Sequence, residues 1–172
     1  MNLCGYYPES INEGEGLRAS IFISGCRHRC KGCFSPVTWN FNYGEPFTLQ
    51  RQNEIIGDIA RNPLLSGISL LGGDPFFSAA EVSEFLDRLY AQAGAVNTWI
   101  YTGYTYEELT ADPLAAEYAL LRRCHVLVDG RFEEALRDTS LRYCGSSNQR
   151  LINIPASLAS GKVELWEPTV RF

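Results

Sequence analysis

The alternation of strand-like and helix-like segments is the feature that most constrains the fold of this chain. Short, largely apolar runs lie at residues 19–24, 67–71, 96–103 and 124–130. Between them lie longer segments with apolar residues at helical spacing, at residues 48–62, 78–94 and 111–123. Strands separated by helices of this length are typical of parallel βαβ units. The sequence therefore predicts an α/β fold built on a mainly parallel sheet.

The ends of the predicted helices carry recognisable capping residues. Thr48 is placed as the N-cap of the first helix and Asp112 as the N-cap of the third. Ser78 and Glu81 have the spacing of a capping box at the start of the second helix. Gly94 follows that helix, at a position where glycine commonly ends helices. These signals support the three helical assignments.

The number of strands favours an incomplete barrel. Residues 150–155 and 162–168 predict a closing pair of strands, which brings the total to about five or six. A complete eight-stranded barrel needs at least ~200 residues, and this chain has 172. A doubly wound open sheet is the competing interpretation. Because no internal repeat, low-complexity tract or linker is visible, we expect residues 1–172 to form a single domain.

The charge and composition of the chain argue against several classes of protein. A net charge of −5 argues against nucleic acid as a main partner, because phosphate binding depends on an excess of lysine and arginine. The first residues lack the basic and apolar regions of a signal peptide, and no apolar run approaches the ~18 residues of a membrane span. We therefore expect a cytoplasmic protein that binds no membrane. In that reducing compartment, clustered cysteines indicate metal binding or catalysis rather than disulfides.

Three of the six cysteines are crowded into one loop, directly after the first predicted strand. Their spacing is Cys26-x3-Cys30-x2-Cys33. Thiolates suit zinc or the irons of an iron–sulfur cluster. Structural zinc sites usually combine two pairs of ligands, and ferredoxin clusters take four cysteines, but no fourth cysteine lies at ligand spacing. Three thiolates on a four-iron cluster would leave one iron open, as catalytic metal sites leave one position open.

Other interpretations of this loop remain open at the level of sequence. His28 lies between two of the cysteines and would complete a Cys3His zinc site. Arg27, Arg29 and Lys31 make the loop basic, either as a solvated surface or as a patch that attracts an acidic electron donor. We predict ordinary thiols for the three remaining cysteines, which are Cys4, Cys124 and Cys144.

Five stretches of the sequence together resemble one known family. They are NEGEGLRASIFISGCRHRCKGCFSPVTWN, GISLLGGDPF, YTGYTYEEL, VLVDGRFEEALRD and LRYCGSSNQR, in this order between Asn12 and Arg150. The three-cysteine spacing after a strand is similar to the signature of the radical S-adenosylmethionine (radical SAM) superfamily. The complete set resembles the activating enzymes of anaerobic, class III, ribonucleotide reductases.

The resemblance implies a partial (β/α) TIM-like barrel of the radical SAM fold, with the active site at the carboxyl ends of its strands. It implies one redox-active [4Fe–4S] cluster with Cys26, Cys30 and Cys33 as its ligands, and S-adenosyl-L-methionine bound to the free iron. Reductive cleavage of that compound would yield methionine and a 5′-deoxyadenosyl radical, which takes a hydrogen from one glycine of the reductase. The implied partners are the large glycyl-radical subunit of the reductase and a flavodoxin-type electron donor.

The resemblance also implies which residues contact the cofactor. Gly72, Gly73 and Asp74 match the motif that binds the methionine ammonium group through backbone and sheet-edge atoms, while Asp74 assists electrostatically or holds the loop. Thr102 and Asp129 end the next two strands and are placed beside the cofactor, with a purely structural role as the alternative.

One position departs from the wider superfamily pattern. Many members carry an aromatic residue immediately before the third cysteine, whereas this chain has Gly32 there, as is usual in the resembled branch. Backbone groups from Gly32 through Cys33 to Phe34 are therefore expected to contact the adenine. The segment GSSNQR is interpreted as a cap on the site, a partner contact or an exposed turn, and Arg150 as a partner for a carboxylate.

Two alternatives to this function stay open from sequence. One is activation of another glycyl-radical enzyme or modification of a small molecule by the same chemistry. The other is a non-enzymatic zinc or electron-transfer module that uses the same three thiolates.

Overall fold

The structure, a computed structural model, describes residues 1–169 and consists of one mixed sheet with helices packed against it. The strands are Asn2–Ser10 (β1), Arg18–Ile23 (β2), Glu45–Pro46 (β3), Gly67–Gly72 (β4), Thr98–Tyr101 (β5), Val126–Asp129 (β6) and Arg150–Asn153 (β7). The helices are Leu49–Arg61 (α1), Ala79–Ala93 (α2), Tyr106–Thr110 (α3), Ala116–Leu121 (α4) and Ile154–Ser160 (α5). No helix in this described part is both long enough and apolar enough to span a membrane.

The sheet has the strand order β3-β1-β2-β4-β5-β6-β7. The four central strands, β2, β4, β5 and β6, run parallel, and β1 and β7 pair antiparallel on either side of them. The predicted mainly parallel α/β sheet, arranged as a partial barrel, is confirmed. Because parallel strands bring their carboxyl ends to one edge, the loops that follow β2, β4, β5 and β6 meet there.

The helices pack against one face of the sheet, which excludes the doubly wound alternative. Alternate strand residues such as Ile21, Leu70 and Leu127 share one core with the buried residues of the helices, for example Ile55 and Phe85. The opposite face forms a separate, smaller cluster to which none of the helices α1–α5 contributes. A doubly wound sheet would place helices on both faces. This second face is the inner wall of the partial barrel.

Aromatic residues and a buried arginine fill the amino-terminal end of that inner wall. The Trp99 ring packs edge-on against Trp166, at a centroid distance of 4.9 Å, and against Tyr143. Arg18 lies over Trp99 and is 1% exposed, and its Nε donates to the Ser69 hydroxyl at 2.8 Å. Burial lowers the pKa of Arg18 to about 10. The barrel is therefore closed at this end and open at the other.

The structure confirms some predicted helix ends and corrects others. Thr48 caps α1 by accepting a hydrogen bond from the Arg51 amide, and Gly94 ends α2 with φ of 77°. The capping box at Ser78 is wrong: its side chain makes no capping bond, because a short 3₁₀ turn capped by Asp74 precedes α2. The complete capping box belongs to α3.

Three further segments differ from the prediction. Residues 111–123 contain the shorter helix α4, and Asp112 accepts from the Leu114 amide in a turn before that helix. Residues 150–155 form β7 and then enter α5, and residues 162–168 form no strand, although Leu165 makes one bridge to Ile152. The first strand, β1, was not predicted.

Candidate functional site

A large cavity opens at the carboxyl ends of the parallel strands, with a volume of about 1250 Å³. The loop after β2 contributes the three cysteines, and the ends of β4 and β5 contribute their glycines and polar residues. All but one of the predicted site residues line it, namely Cys26, Cys30, Gly32, Cys33, Phe34, Gly72, Gly73, Asp74 and Thr102. The sequence-based prediction that these strand ends meet is confirmed by the fold.

The three loop cysteines are half-buried free thiols that face the same cavity. Burial raises the pKa of Cys26 to about 11 and also raises the pKa of Cys30. Across residues 1–169, no three His, Cys, Asp or Glu side chains are grouped closely enough to bind a single metal ion. An iron–sulfur cluster makes a different demand, because each thiolate binds a separate iron. Five free cysteines line this cavity; Cys26, Cys30 and Cys33 share one loop and fit a cluster, whereas Cys4 and Cys144 come from other parts of the chain.

The Gly72–Asp74 motif is bonded directly to the start of the cysteine loop. The Gly73 amide donates to the Ile23 carbonyl at 2.7 Å, and the Asp74 amide donates to the Gly25 carbonyl at 2.9 Å. A Cβ atom on Gly73 would lie 2.5 Å from the Gly25 carbonyl oxygen, so only glycine permits this approach. Gly72 has φ of 110°, in the region that favours glycine.

The Asp74 carboxylate is a buried hub, 1% exposed, that gathers several hydrogen bonds. Its Oδ1 accepts from the Phe76 amide at 3.0 Å. Its Oδ2 accepts from the Thr102 hydroxyl at 2.8 Å and from the Gly103 amide at 2.9 Å. The same oxygen lies 2.9 Å from Nε2 of His28. Asp74 therefore joins the ends of β4 and β5 to the cysteine loop.

The imidazole ring of His28 is turned toward Asp74. Its side chain is 4% exposed, and its ring packs against Tyr104 at 4.7 Å and Phe77 at 5.1 Å between centroids. Within residues 1–169 no three His, Cys, Asp or Glu side chains, His28 included, are grouped around a position for one metal ion, so the geometry does not support the Cys3His zinc interpretation. Sequence reasoning missed the contact between His28 and Asp74, since 46 residues separate them and no local pattern announces it.

Gly32 and Phe34 lie at the mouth of the cavity. Gly32 has φ of 72°, and a Cβ atom there would press against the Glu134 side chain at 3.0 Å. The Phe34 side chain is completely exposed, so it covers nothing in this structure. Their expected backbone contact with an adenine ring stays a prediction.

Asp129 is the one predicted site residue that lies elsewhere. It lines a second, smaller cavity of about 720 Å³ rather than the main one. Its carboxylate is 1% exposed, pairs with the Arg150 guanidinium, and accepts the Tyr106 amide at 2.8 Å. Arg150 also binds Glu107, whose pKa this bond lowers. The expected carboxylate partner of Arg150 is therefore present, and the cofactor contact of Asp129 stays a prediction.

The GSSNQR segment packs against the loop that follows β6. Gln149 accepts from the Gly145 amide at 2.9 Å and donates to the Gly130 carbonyl at 2.9 Å. Ser146 is buried, and its hydroxyl accepts the Glu133 amide. Gly145 and Gln149 also line the main cavity, so this segment forms part of its wall.

Comparison with known proteins identifies the family. Residues 12–152 match the family described as "4Fe-4S single cluster domain". The chain is 40% identical to the anaerobic ribonucleoside-triphosphate reductase-activating protein of Escherichia coli K12, over 87% of this chain and 96% of that protein. The proteins of the same name from Haemophilus influenzae and Enterobacteria phage T4 are 35% and 31% identical, over 87% and 88% of this chain and 96% and 93% of those proteins.

The chain belongs to the anaerobic ribonucleoside-triphosphate reductase-activating protein family. The resemblance drawn from the five sequence stretches is thereby confirmed, and with it a [4Fe–4S] domain of the radical SAM type. The cysteine loop and the Gly72–Asp74 motif face one cavity. This cavity is therefore the candidate site for the chemistry of the family.

Proposed function

We propose that this chain activates an anaerobic ribonucleoside-triphosphate reductase by generating a glycyl radical on the large subunit of that reductase. When bound, the cluster and S-adenosylmethionine supply a one-electron cleavage that gives methionine and a 5′-deoxyadenosyl radical able to take a hydrogen from glycine. The observation that carries the proposal is the convergence of three free thiols and the Gly72–Asp74 motif on one cavity. The similarity to named activating proteins supports the choice of reductase.

We assign the protein's contribution residue by residue. Cys26, Cys30 and Cys33 would hold the cluster and leave its fourth corner free. The backbone of Gly72 and Gly73 would receive the methionine end of S-adenosylmethionine, because glycine lets a ligand approach the main chain closely. The remaining proposed contacts are made by Gly32 and Phe34 to the adenine, by Thr102 on the ribose side, and by Asp129 from the neighbouring rim.

The inner wall of the barrel suits radical chemistry because it is largely apolar. Phe22 and Leu71 line the cavity beside the cysteine loop. A primary carbon radical attacks most C–H bonds, so it has to form in a water-poor pocket against its target. The walls thus orient the reactants and exclude water, while the cofactors supply the reactive electron.

The partner's glycine is proposed to enter through the open side of the barrel. Five exposed apolar side chains line the cavity and are called the apolar rim, namely Tyr7, Ile11, Phe34, Val37 and Leu141. Exposed apolar side chains gathered at one cavity are typical of protein interaction sites. A loop of the reductase that covers this rim would bring its glycine into the cavity and shield the radical from water.

We propose a flavodoxin-type protein as the electron donor. Arg27 and Arg29 are exposed on the cysteine loop, and Arg27 lies over the rings of Phe41 and Phe77, which hold it near the cluster position. Lys31 is paired with Glu134. Positive charge here would attract an acidic donor. Charge reversal of Arg27 and Arg29 should slow reduction by flavodoxin but not by dithionite, and equal effects on both would contradict this assignment.

We further propose that residues 1–172 act as one radical SAM domain in the cytoplasm. The single family match over residues 12–152 supports one domain, and clustered cysteines outside disulfides are typical of metal-binding proteins in reducing compartments.

The deciding experiment is anaerobic incubation with reductant, S-adenosylmethionine and the large reductase subunit. We expect 5′-deoxyadenosine together with the doublet electron-spin signal of a glycyl radical. The Cys30→Ala variant is the matched control and should give neither. Formation of 5′-deoxyadenosine without the doublet would support cleavage of S-adenosylmethionine but would contradict the reductase as partner. Another glycyl-radical enzyme would then be the candidate partner. A colourless protein that binds zinc, without sulfide, would reject both.

A further inference from the structure

The junction around Asp74 links three segments that carry the proposed site. Its carboxylate receives hydrogen bonds from the loop after β4, from the loop after β5, and from His28 in the cysteine loop. The first two of these contacts can be traced to the adjacent strand ends. The contact from His28 comes from further along the chain, five residues beyond the end of β2 and between the first two cysteines of the loop.

The histidine is fixed from several directions. Asp74 engages Nε2, while Phe77 and Tyr104 pack against the ring. The distance from Nε2 of His28 to Oδ2 of Asp74 is 2.9 Å, which is a hydrogen-bond distance. A Cβ atom on Gly103 would overlap the imidazole, so glycine at that position makes room for the ring.

The cysteine loop needs such support, because its own backbone is unusual. Arg29 adopts φ of 50°, a left-handed conformation that is uncommon for a residue other than glycine. It follows His28 directly and precedes Cys30. Residues in sparsely populated backbone regions persist only where their surroundings hold them in place. The buried imidazole next to Arg29 provides that restraint.

We propose that His28 is a positioning residue that locks the cysteine loop onto the Gly72–Asp74 motif. It thereby fixes the distance between the open corner of the cluster and the backbone that receives the methionine end of S-adenosylmethionine. His28 borders the main cavity, and the role assigned to it is exerted through Asp74 rather than as a metal ligand. A hydrogen bond to a charged group is strong enough to change an equilibrium about 10- to 100-fold when it is removed. The expected effect on S-adenosylmethionine binding rests on the proposed function. The contact between His28 and Asp74, which we call the lock, does not depend on it.

The lock is tested first on the protein without cofactors. His28→Gln keeps an amide donor that reaches Asp74, whereas His28→Leu keeps bulk and loses the donor. Hydrogen exchange should be about tenfold faster at the Gly73, Asp74 and Gly103 amides in His28→Leu, and close to wild type in His28→Gln. Equal protection of these amides in wild type and His28→Leu would overturn the lock.

The consequence is tested by equilibrium binding of S-adenosylmethionine to protein with a reconstituted cluster. We expect the dissociation constant to rise about 10- to 100-fold in His28→Leu and to recover largely in His28→Gln, with iron per chain unchanged in His28→Gln. A His28→Gln variant as defective as His28→Leu would overturn the proposal. So would loss of iron from both variants, which would make His28 a ligand.

His125, the chain's other histidine, offers a matched control. It lies at the opposite end of the sheet, where its Nδ1 accepts the Thr98 amide. His125→Leu should lower stability and leave the affinity for S-adenosylmethionine unchanged, and an equal loss of affinity would show that the effect of His28→Leu is a general loss of stability. If wild-type protein binds no S-adenosylmethionine at all, the proposed function fails, and the lock is then decided by hydrogen exchange alone.

Discussion

At the scale of single residues, the six cysteines divide according to what surrounds each sulfur atom. Cys124 is 2% exposed among apolar strand residues, and its Sγ donates to the Val126 carbonyl at 2.9 Å. Cys4 similarly donates to the Phe22 carbonyl. Cys144 borders the cavity, but it packs with the aromatic cluster of the inner wall. Burial raises the pKa of Cys144 to about 11.

This division predicts the outcome of cysteine replacement. Cys26→Ala, Cys30→Ala and Cys33→Ala should each lose iron and all activity, because each removes one ligand of a three-ligand site. Cys124→Ser and Cys144→Ser should keep about four irons per chain, since neither lies in the loop. Iron and sulfide are measured after anaerobic reconstitution. Loss of iron from Cys144→Ser would contradict the ligand assignment, because Cys144 shares the cavity with the other three.

Asp129 and Asp74 are both aspartates near the ends of strands, but their surroundings give them different roles. Both are 1% exposed aspartates near the carboxyl ends of parallel strands. Asp129 is neutralised by Arg150, whereas Asp74 is surrounded by amide, hydroxyl and imidazole groups that belong to the main cavity. The difference depends on which side chains arrive from distant parts of the chain. An aspartate near the end of a strand can therefore be predicted from sequence as a candidate site residue, but its role in the site cannot.

At the scale of elements, the pairing of β5 with β6 contains a titratable contact. The Thr98 amide at the start of β5 donates to Nδ1 of His125, immediately before β6, at 3.1 Å. Only the unprotonated nitrogen can accept this bond. Burial, and secondarily the charge of Arg18, lower the pKa of His125 below its ordinary value of 6.5. The folded protein therefore holds His125 neutral where the unfolded chain would protonate it.

The sign of the resulting pH dependence follows from linkage. Between the lowered folded-state pKa and 6.5, the unfolded chain binds more protons, so stability increases with pH. The contribution of His125 is complete above that range and is lost as pH falls through the folded-state pKa. His125→Asn retains an acceptor that does not titrate. Urea unfolding should show stability falling more steeply in wild type than in His125→Asn as the pH is lowered below 6.5, and parallel curves would contradict this account.

The helices show a second pattern at this scale. α1 and α2 present one apolar face to the sheet, with Ile55, Ile59, Phe85 and Leu89 all buried. Both were predicted because that periodicity is strong over 13 and 15 residues. α3 and α5 are five and seven residues long, too short for a periodic signal. Their ends are fixed instead by local caps at Thr105 and Asn153.

At the scale of the whole molecule, the sheet is open on one side and the cavity mouth is apolar. Exposed side chains on either side of this mouth include Ile11, at 70% exposure, and Leu141, at 36%. The chain also exposes Leu64 and Leu114, which do not line the cavity. Leu64 and Leu114 can therefore serve as controls for the proposed docking of a partner at the apolar rim.

The apolar rim predicts an uncoupling variant. Replacing Ile11 and Leu141 together by serine should weaken binding of the large reductase subunit about tenfold or more, since truncating residues that anchor an interface costs about 2 kcal/mol or more. Cleavage of S-adenosylmethionine without the reductase should be unchanged. The control pair Leu64→Ser and Leu114→Ser should bind normally. Equal weakening by both pairs, measured by anaerobic titration, would place the docking surface elsewhere.

The sequence by itself determined the parts of this protein that depend on neighbouring residues. Three-cysteine spacing after a strand, the Gly72–Asp74 turn, the Thr48 cap and two long amphipathic helices are all local patterns. From these, the parallel α/β sheet and the meeting of the strand ends could be predicted, because parallel strands place their carboxyl ends at one edge.

Only the tertiary structure decided the contacts that join distant segments. The bond between His28 and Asp74 spans 46 residues, and the Asp129–Arg150 pair spans 21. Which carboxylate faces the cavity and which is paired with arginine depends on strand order and on the loops between strands. The β1 strand was not predicted for a similar reason. Its pairing with β2 contains two register shifts, and these can be seen only when both strands are in place. Local sequence sets propensities, whereas these pairings are selected by burial, which acts only once the sheet has assembled.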